Sequence, residues 1–297
     1  MKFKKVIQYI LTAIAFVPFD AIVPYAADKS YDESTEFSNL YNTSFHFEQE
    51  YKLTKYFVET KTKKLINTYI DYAVNGTKRI IENKNKTGYQ SAVRKELPGA
   101  PCNAAHGTLH CLYGQYTQLN RAISAMGDTV QIIPSVNNAH MATSSFKRYM
   151  TKLYDNPEYP NAIYHGHLYS TSTEYNKALN NYITTKMHGK TGNLDSLRNK
   201  YIKDFKANNY CANDLNPGTI IIVSSGHAVM YLGQGEIKNK EFVPDKNGQA
   251  VCCSYNKEQP ATLLSYWNTN NSFAADIKNI ATQKYYEQLV KSRYKNY

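Results

Sequence analysis

Apolar residues recur every three to four positions over residues 47–83, at Leu65, Ile66, Tyr69, Ile70, Ala73, Ile80 and Ile81. This period predicts a helix with one buried face. Asn75-Gly76 is a candidate interruption, and the polar run over 84–88 a stop. Pro98-Gly99-Ala100-Pro101 then breaks the chain. Residues 103–126 hold no proline, and Leu109, Leu112, Tyr116, Leu119 and Ile123 resume helical spacing until Gly127-Asp128. A short strand is expected within 129–134. Residues 145–155 and 172–207 read as helical, with a break over 189–193, and residues 273–294 as a closing helix.

The pattern changes after Leu215-Asn216-Pro217-Gly218, a turn signal. Residues 219–223 are β-branched at every position, which suits a strand. Ser224-Ser225-Gly226 interrupts them, and 227–232 form a second apolar run closed by Gly233-Gln234-Gly235. Asp245-Lys246-Asn247-Gly248 is a further turn, and 250–255 a third strand. Helices followed by a strand meander predict an α+β fold.

Composition narrows the class. The chain has 297 residues, 42% apolar and 13% aromatic, with 27 tyrosines, which excludes a disordered polymer. No internal stretch reaches about 18 consecutive apolar residues, so no transmembrane helix is expected after the N-terminus. The N-terminus itself is ordered like a secretory signal: Lys2, Lys4 and Lys5, an apolar run over 6–17, then Ala26 and Ala27 before polar Asp28. The expected organisation is a signal peptide over 1–27, a polar leader and helical segment over 28–90, and a catalytic domain over 91–297. The expected location is secreted or periplasmic. The formal charge of +11 falls to +9 if the leader is cut after Ala27. Such a charge suits an anionic envelope polymer. Nucleic acid is not expected as a partner, since no nucleic-acid module appears and lysine far outnumbers arginine.

The five cysteines are Cys102, Cys111, Cys211, Cys252 and Cys253. In an oxidising compartment this odd number leaves at least one thiol unpaired within the chain, with room for up to two disulfides. The alternative is a set of reduced, buried cysteines acting as small hydrophobes.

Three patches together suggest chemistry. Cys102 follows a Gly-Ala-Pro turn at the expected start of a helix, where the positive end of the macrodipole favours thiolate. His227 heads a strand directly after Gly226. Asn256 ends the following strand, where a polar side chain can orient an imidazole. A thiol, a base and an orienting residue form the arrangement that activates cysteine for acyl transfer. The predicted catalytic set is therefore Cys102, His227 and Asn256, with no metal and no cofactor. Asn268 or Glu258 are alternatives for the third position. Cys111 competes as nucleophile, but its mid-helix position between apolar neighbours suggests burial. Cys252 and Cys253 are adjacent in a strand, so they point to opposite faces.

The segments PGTIIIVSSGHAVMYLG (217–233) and PCNAAHGTL (101–109) resemble the histidine hairpin and nucleophile helix of papain-like amidohydrolases of the NlpC and CHAP type. The order of cysteine, histidine and polar third residue also agrees. The resemblance covers about 50 residues in three patches. It implies a nucleophile helix packed on a short antiparallel sheet, with the N-terminal helical segment added outside. It implies hydrolysis of amide bonds, often in peptidoglycan peptides. The long span between Cys102 and His227 implies a helical insertion around 128–210.

Two other classes compete. Cys102, His106 and His110 share a four-residue spacing that could line one face of a helix as zinc ligands, and His140, His165 and His167 add imidazoles. Against a metal-binding hydrolase, the HGTLH segment lacks the glutamate that activates water in zinc peptidases. A non-catalytic envelope-binding protein would use the tyrosines and the basic surface to hold glycans or peptides.

Overall fold

The computed structural model describes residues 33–98, 107–133, 142–255 and 259–294. These residues form seven α-helices and an eight-stranded mixed sheet, so the fold is α+β. The chain divides into two compact units, Met1–Phe57 and Val58–Tyr297. The described part of the first is wholly helical and exposes Leu53, Tyr56 and Phe57.

Helix α1 spans Glu33–Thr87, and its residues from Val58 onward belong to the second unit. It passes through Asn75-Gly76 without the expected interruption. Gly76 serves close packing: a Cβ there would lie 2.7 Å from Gln118 Nε2 and 3.0 Å from Glu96 Oε1. Helix α2 (Tyr89–Glu96) follows, then α3 (Gly107–Ala125) and α4 (Thr143–Tyr154). Glu96 joins the first three helices. It accepts from Arg79 Nε and Nη2 on α1, both at 2.7 Å, and from Gln118 Nε2 on α3 at 3.1 Å.

Strand β1 (Ile163–Tyr169) precedes α5 (Ser172–Met187) and α6 (Leu194–Lys206). Local chemistry starts both helices. Thr171 and Glu174 form a reciprocal capping box on α5, and the Asn193 side chain accepts from Ser196 N–H on α6. The remaining elements are β2 (Asn209–Cys211), β3 (Ile220–Ile222), β4 (Ala228–Lys238), β5 (Glu241–Pro244), β6 (Gln249–Cys253), β7 (Thr262–Leu263), β8 (Ser272–Ala275) and α7 (Ile277–Tyr294).

The sheet order is β2-β1-β8-β3-β4-β6-β7, with β5 on β4; β1 and β2 run parallel, and every other pair is antiparallel. Central strand β3 is buried on both faces, which explains its unbroken apolar run. Ile220, Ile222, Ala228, Met230, Cys253 and Phe273 share a core with Leu65, Tyr69, Leu119, Phe146 and Ile280 from the helices. Ile221, Val223, Val229, Tyr231 and Cys252 enter a second core with Leu168, Tyr210, Leu215 and Leu264. Helix α1 is thus part of the principal core rather than an outer addition.

Several expectations are corrected. Three strands of the sheet were legible at 219–223, 227–232 and 250–255, but the sheet is larger and not wholly antiparallel. Segment 128–210 is not wholly helical, because β1 lies inside the sheet between β2 and β8. Its residues are mostly half-buried, so it lacks the apolar run that marked β3. Residues 272–275 are strand β8, not the start of the closing helix. Asp276 separates the two elements: its Oδ1 accepts from Asn279 N–H at 3.0 Å, capping α7, and its Oδ2 accepts from Asn216 N–H at 3.1 Å. Residues 129–133 form no strand; Asp128 Oδ1 accepts from the N–H groups of Thr129 and Val130 instead.

The proposed signal peptide lies outside the described residues. Among the described residues, no helix is long and apolar enough to cross a membrane.

Candidate active site

The site begins with a turn. Gly226 adopts φ 78°, a backbone conformation that favours glycine, and its N–H donates to Val223 O at 2.8 Å. The Val223 N–H donates to His227 O at 3.0 Å. The Ser-Ser-Gly sequence thereby sets His227 at the head of β4, as its position after a glycine predicts.

His227 is 4% exposed. Its Nε2 lies 2.7 Å from Ser254 Oγ, and Ser254 immediately follows β6. Pairing of β4 with β6, with Met230 opposite Cys253, brings these distant segments together. When Nε2–H donates to the serine oxygen, Nδ1 carries the basic lone pair of the neutral ring. Ser254 was not singled out from sequence, although it lies two residues before Asn256 in the same patch. Strand alternation puts residues two apart on the same face, so it does not separate them.

The Cys111 thiol meets the backbone one residue after His227. Its Sγ accepts from the Ala228 N–H at 3.1 Å, one residue along the chain from His227. Helix α3 starts at Gly107, so Cys111 sits near its N-terminus, not deep within it. Burial pushes its pKa up to about 12, against the opposing pull of the Ala228 N–H and nearby backbone N–H groups. Desolvation therefore holds the resting thiol protonated, and a base must take its proton for it to react.

Cys102 and Asn256 lie outside the described residues, as does Glu258. Asn268 does not orient the imidazole through any described contact; its Oδ1 accepts from Ser224 Oγ at 3.3 Å and Asn270 N–H at 3.0 Å. Cys211, Cys252 and Cys253 carry no disulfide. Cys252 and Cys253 face opposite cores, as strand alternation requires, and both are buried.

The metal alternative falls largely beyond description: Cys102, His106 and His140 lie outside the described residues, as does the His110 side chain. His165 Nε2 lies 3.4 Å from Asp155 Oδ2, while the His167 ring packs 4.1 Å from that of Tyr169. Among the described residues, no group of three or more histidine, cysteine or acidic side chains is placed to hold a metal.

No protein-family model matches this chain, and no match is found among curated proteins or solved structures.

Two further contacts brace the pair. The Tyr89 hydroxyl donates to Tyr255 O at 2.6 Å, and the Tyr255 ring lies against Gly114 on α3. A Cβ at Gly114 would stand 2.6 Å from that ring, which is fully buried and cannot swing away. Gly114→Ala should therefore push Tyr255, and with it Ser254. We expect a stability loss of about 1–3 kcal/mol in urea unfolding. Unchanged stability would show that Tyr255 has room to relax.

Burial also makes stability depend on alkaline pH. It pushes Cys111 and Tyr89 each up to about 12, and Cys253 up to about 11. These groups keep their protons in the fold at a pH where the unfolded chain loses them, from about 8.5 for cysteine and about 10 for tyrosine. Stability present at neutral pH should thus fall as pH rises through this range. Urea midpoints at pH 7, 9 and 10.5 test this. A midpoint constant to pH 10.5 would contradict the burial of these thiols.

Proposed function

We propose that this chain is an exported cysteine hydrolase of papain-like, NlpC/CHAP-type fold that cleaves amide bonds in peptidoglycan or other envelope peptides. The observation that carries the reading is the placement of Cys111 Sγ on the backbone N–H next to His227, with His227 held by Ser254. There the Cys111 thiol meets the backbone beside His227, and the Ser254 hydroxyl meets the imidazole. The N-terminal signal pattern adds the export.

In this reading Cys111 is the nucleophile, with Cys102 as the alternative, and Ser254 orients the imidazole; Cys102 and Asn256 lie outside the described residues. His227 takes the thiol proton, and the sulfur attacks the amide carbonyl. The C–N bond breaks as His227 returns the proton to the leaving amine. Water, deprotonated by His227, then hydrolyses the thioester and regenerates the thiol. No metal or cofactor takes part.

The test is digestion of peptidoglycan and unmodified peptides by the full chain and by Cys111→Ala, Cys102→Ala and His227→Ala, read by mass spectrometry. Thiol-dependent release of amines from amide bonds supports the reading. Binding without cleavage would favour a non-catalytic envelope-binding protein.

A further inference from the structure

A groove of about 530 Å³ is lined by α1 and α3 and by none of the candidate-site residues. Small-molecule sites commonly have about 300–1,000 Å³. Helix α1 supplies Tyr72 and Arg79, which lie seven residues apart and so share a helix face. Helix α3 supplies Tyr116 and Thr117, then Asn120 and Arg121 one turn later, as a stripe at four-residue spacing. The lining is thus two phenol rings, two guanidinium groups and neutral polar side chains. No acidic side chain is among the described lining residues.

Glu96 fixes both guanidinium groups from behind. Arg79 donates to its two carboxylate oxygens through Nε and Nη2, each at 2.7 Å. Arg121 Nη1 donates to Glu96 Oε1 at 3.2 Å and to Gln118 Oε1 at 3.3 Å, and its Nη2 donates to Glu96 O at 2.9 Å. The Glu96 side chain is 10% exposed, whereas those of Arg79 and Arg121 are 48% and 39% exposed. One sheltered carboxylate therefore holds two cations that reach solvent, so a positive charge is left over. Arg79 Nη1 and Arg121 Nε make none of the described hydrogen bonds, which leaves N–H groups for a ligand. Glu82 stands one turn after Arg79 and does not line the groove, but its charge acts on Arg79. It disfavours a dianion there.

We propose that this groove is a second binding site, for a small aromatic carboxylate, and that it is independent of the hydrolase reading. A carboxylate matches the fork of a guanidinium and balances the surplus charge. The rings of Tyr72 and Tyr116 suit an apolar or aromatic body attached to it. Pre-ordering by Glu96 lowers the cost of holding two long side chains in place when the ligand arrives.

The experiment titrates the full chain with four probes by calorimetry: phenylacetate, its neutral analogue phenylacetamide, acetate and phenyl phosphate. Phenylacetate should bind at least about ten-fold more tightly than each of the other three. Its affinity should fall as salt rises, because both arginines reach solvent. Arg79→Lys keeps the charge but loses the fork, and should weaken phenylacetate about ten-fold. That substitution also disturbs the contact with Glu96, so Asn120→Trp serves as the second variant. It fills the groove without touching the Arg–Glu cluster and should abolish binding, with thermal unfolding showing that the fold is kept. Equal affinity for phenylacetate and phenylacetamide would overturn the proposal. Acetate binding as tightly would remove the role of the rings, and tighter phenyl phosphate would remove the preference for a carboxylate; either result overturns it. Undiminished binding by folded Asn120→Trp would place the site elsewhere and overturn it as well. Loss of amide hydrolysis has no bearing on these outcomes, so the groove and the hydrolase reading fail separately.

Discussion

Cys111→Ala should lower amide hydrolysis by at least about 1,000-fold, and His227→Ala should do the same. The double variant should be little worse than either, because thiol and imidazole act as one unit and the second loss removes nothing further. The expectation follows from the burial of Cys111. A thiol pushed up to about 12 is almost wholly protonated at neutral pH, so it has no nucleophilic form unless a base accepts its proton. Ser254→Ala should be milder, about ten-fold to 100-fold, since it frees the ring to rotate but leaves the base in place. Kinetics on a single peptide substrate measure all four. Cys102→Ala supplies the control. Retained turnover there, with loss in Cys111→Ala, assigns the nucleophile to Cys111. The opposite pattern moves it to Cys102 and keeps the hydrolase. Full turnover in both would end the thiol mechanism.

Gly166→Ala should cost about 3–5 kcal/mol of stability, the largest loss expected from adding one methyl group to this fold. Gly166 has φ 111°, which an L side chain rarely adopts. A Cβ there would stand 2.0 Å from the backbone oxygen of Asn208 and 2.4 Å from its carbonyl carbon. Backbone cannot rotate out of the way as a side-chain tip can. The same Asn208 oxygen accepts from His167 N–H at 2.9 Å at the start of the parallel β1–β2 pairing. The added methyl therefore forces apart the only parallel pair among the described strands. Urea denaturation of wild type and variant gives the difference. A loss below about 1 kcal/mol would mean that β2 shifts freely, contrary to its tight approach to β1.

The candidate site was partly legible in the chain for a local reason. A run of β-branched residues, a Ser-Ser-Gly break and a following apolar run define a hairpin within about fifteen residues, and His227 falls at its second strand head. Nothing beyond neighbouring residues was needed to find it. The choice between Cys102 and Cys111 was different. Both lie in one helical pattern, and the decision depends on which sulfur meets β4, over 100 residues later in the sequence. Ser254 likewise reaches the imidazole only through the long-range pairing of β4 with β6.

Periodicity and turn residues determined the long helices, the central hairpin, the third strand and the α+β class, because each follows from backbone preferences and one-sided burial over a few turns; the short helix α2 was not legible in them. The sequence by itself also separated Cys252 from Cys253, since adjacent strand residues must face opposite ways. Tertiary structure alone decided that 163–169 and 272–275 are strands within the sheet, that α1 helps form the principal core, and that Gly76 and Gly114 mark close packing. It alone set the Cys111 thiol beside the backbone of the His227 strand and gave that thiol its raised pKa. These outcomes depend on pairings between distant segments and on exclusion of water, and neither is encoded in the spacing of neighbouring residues.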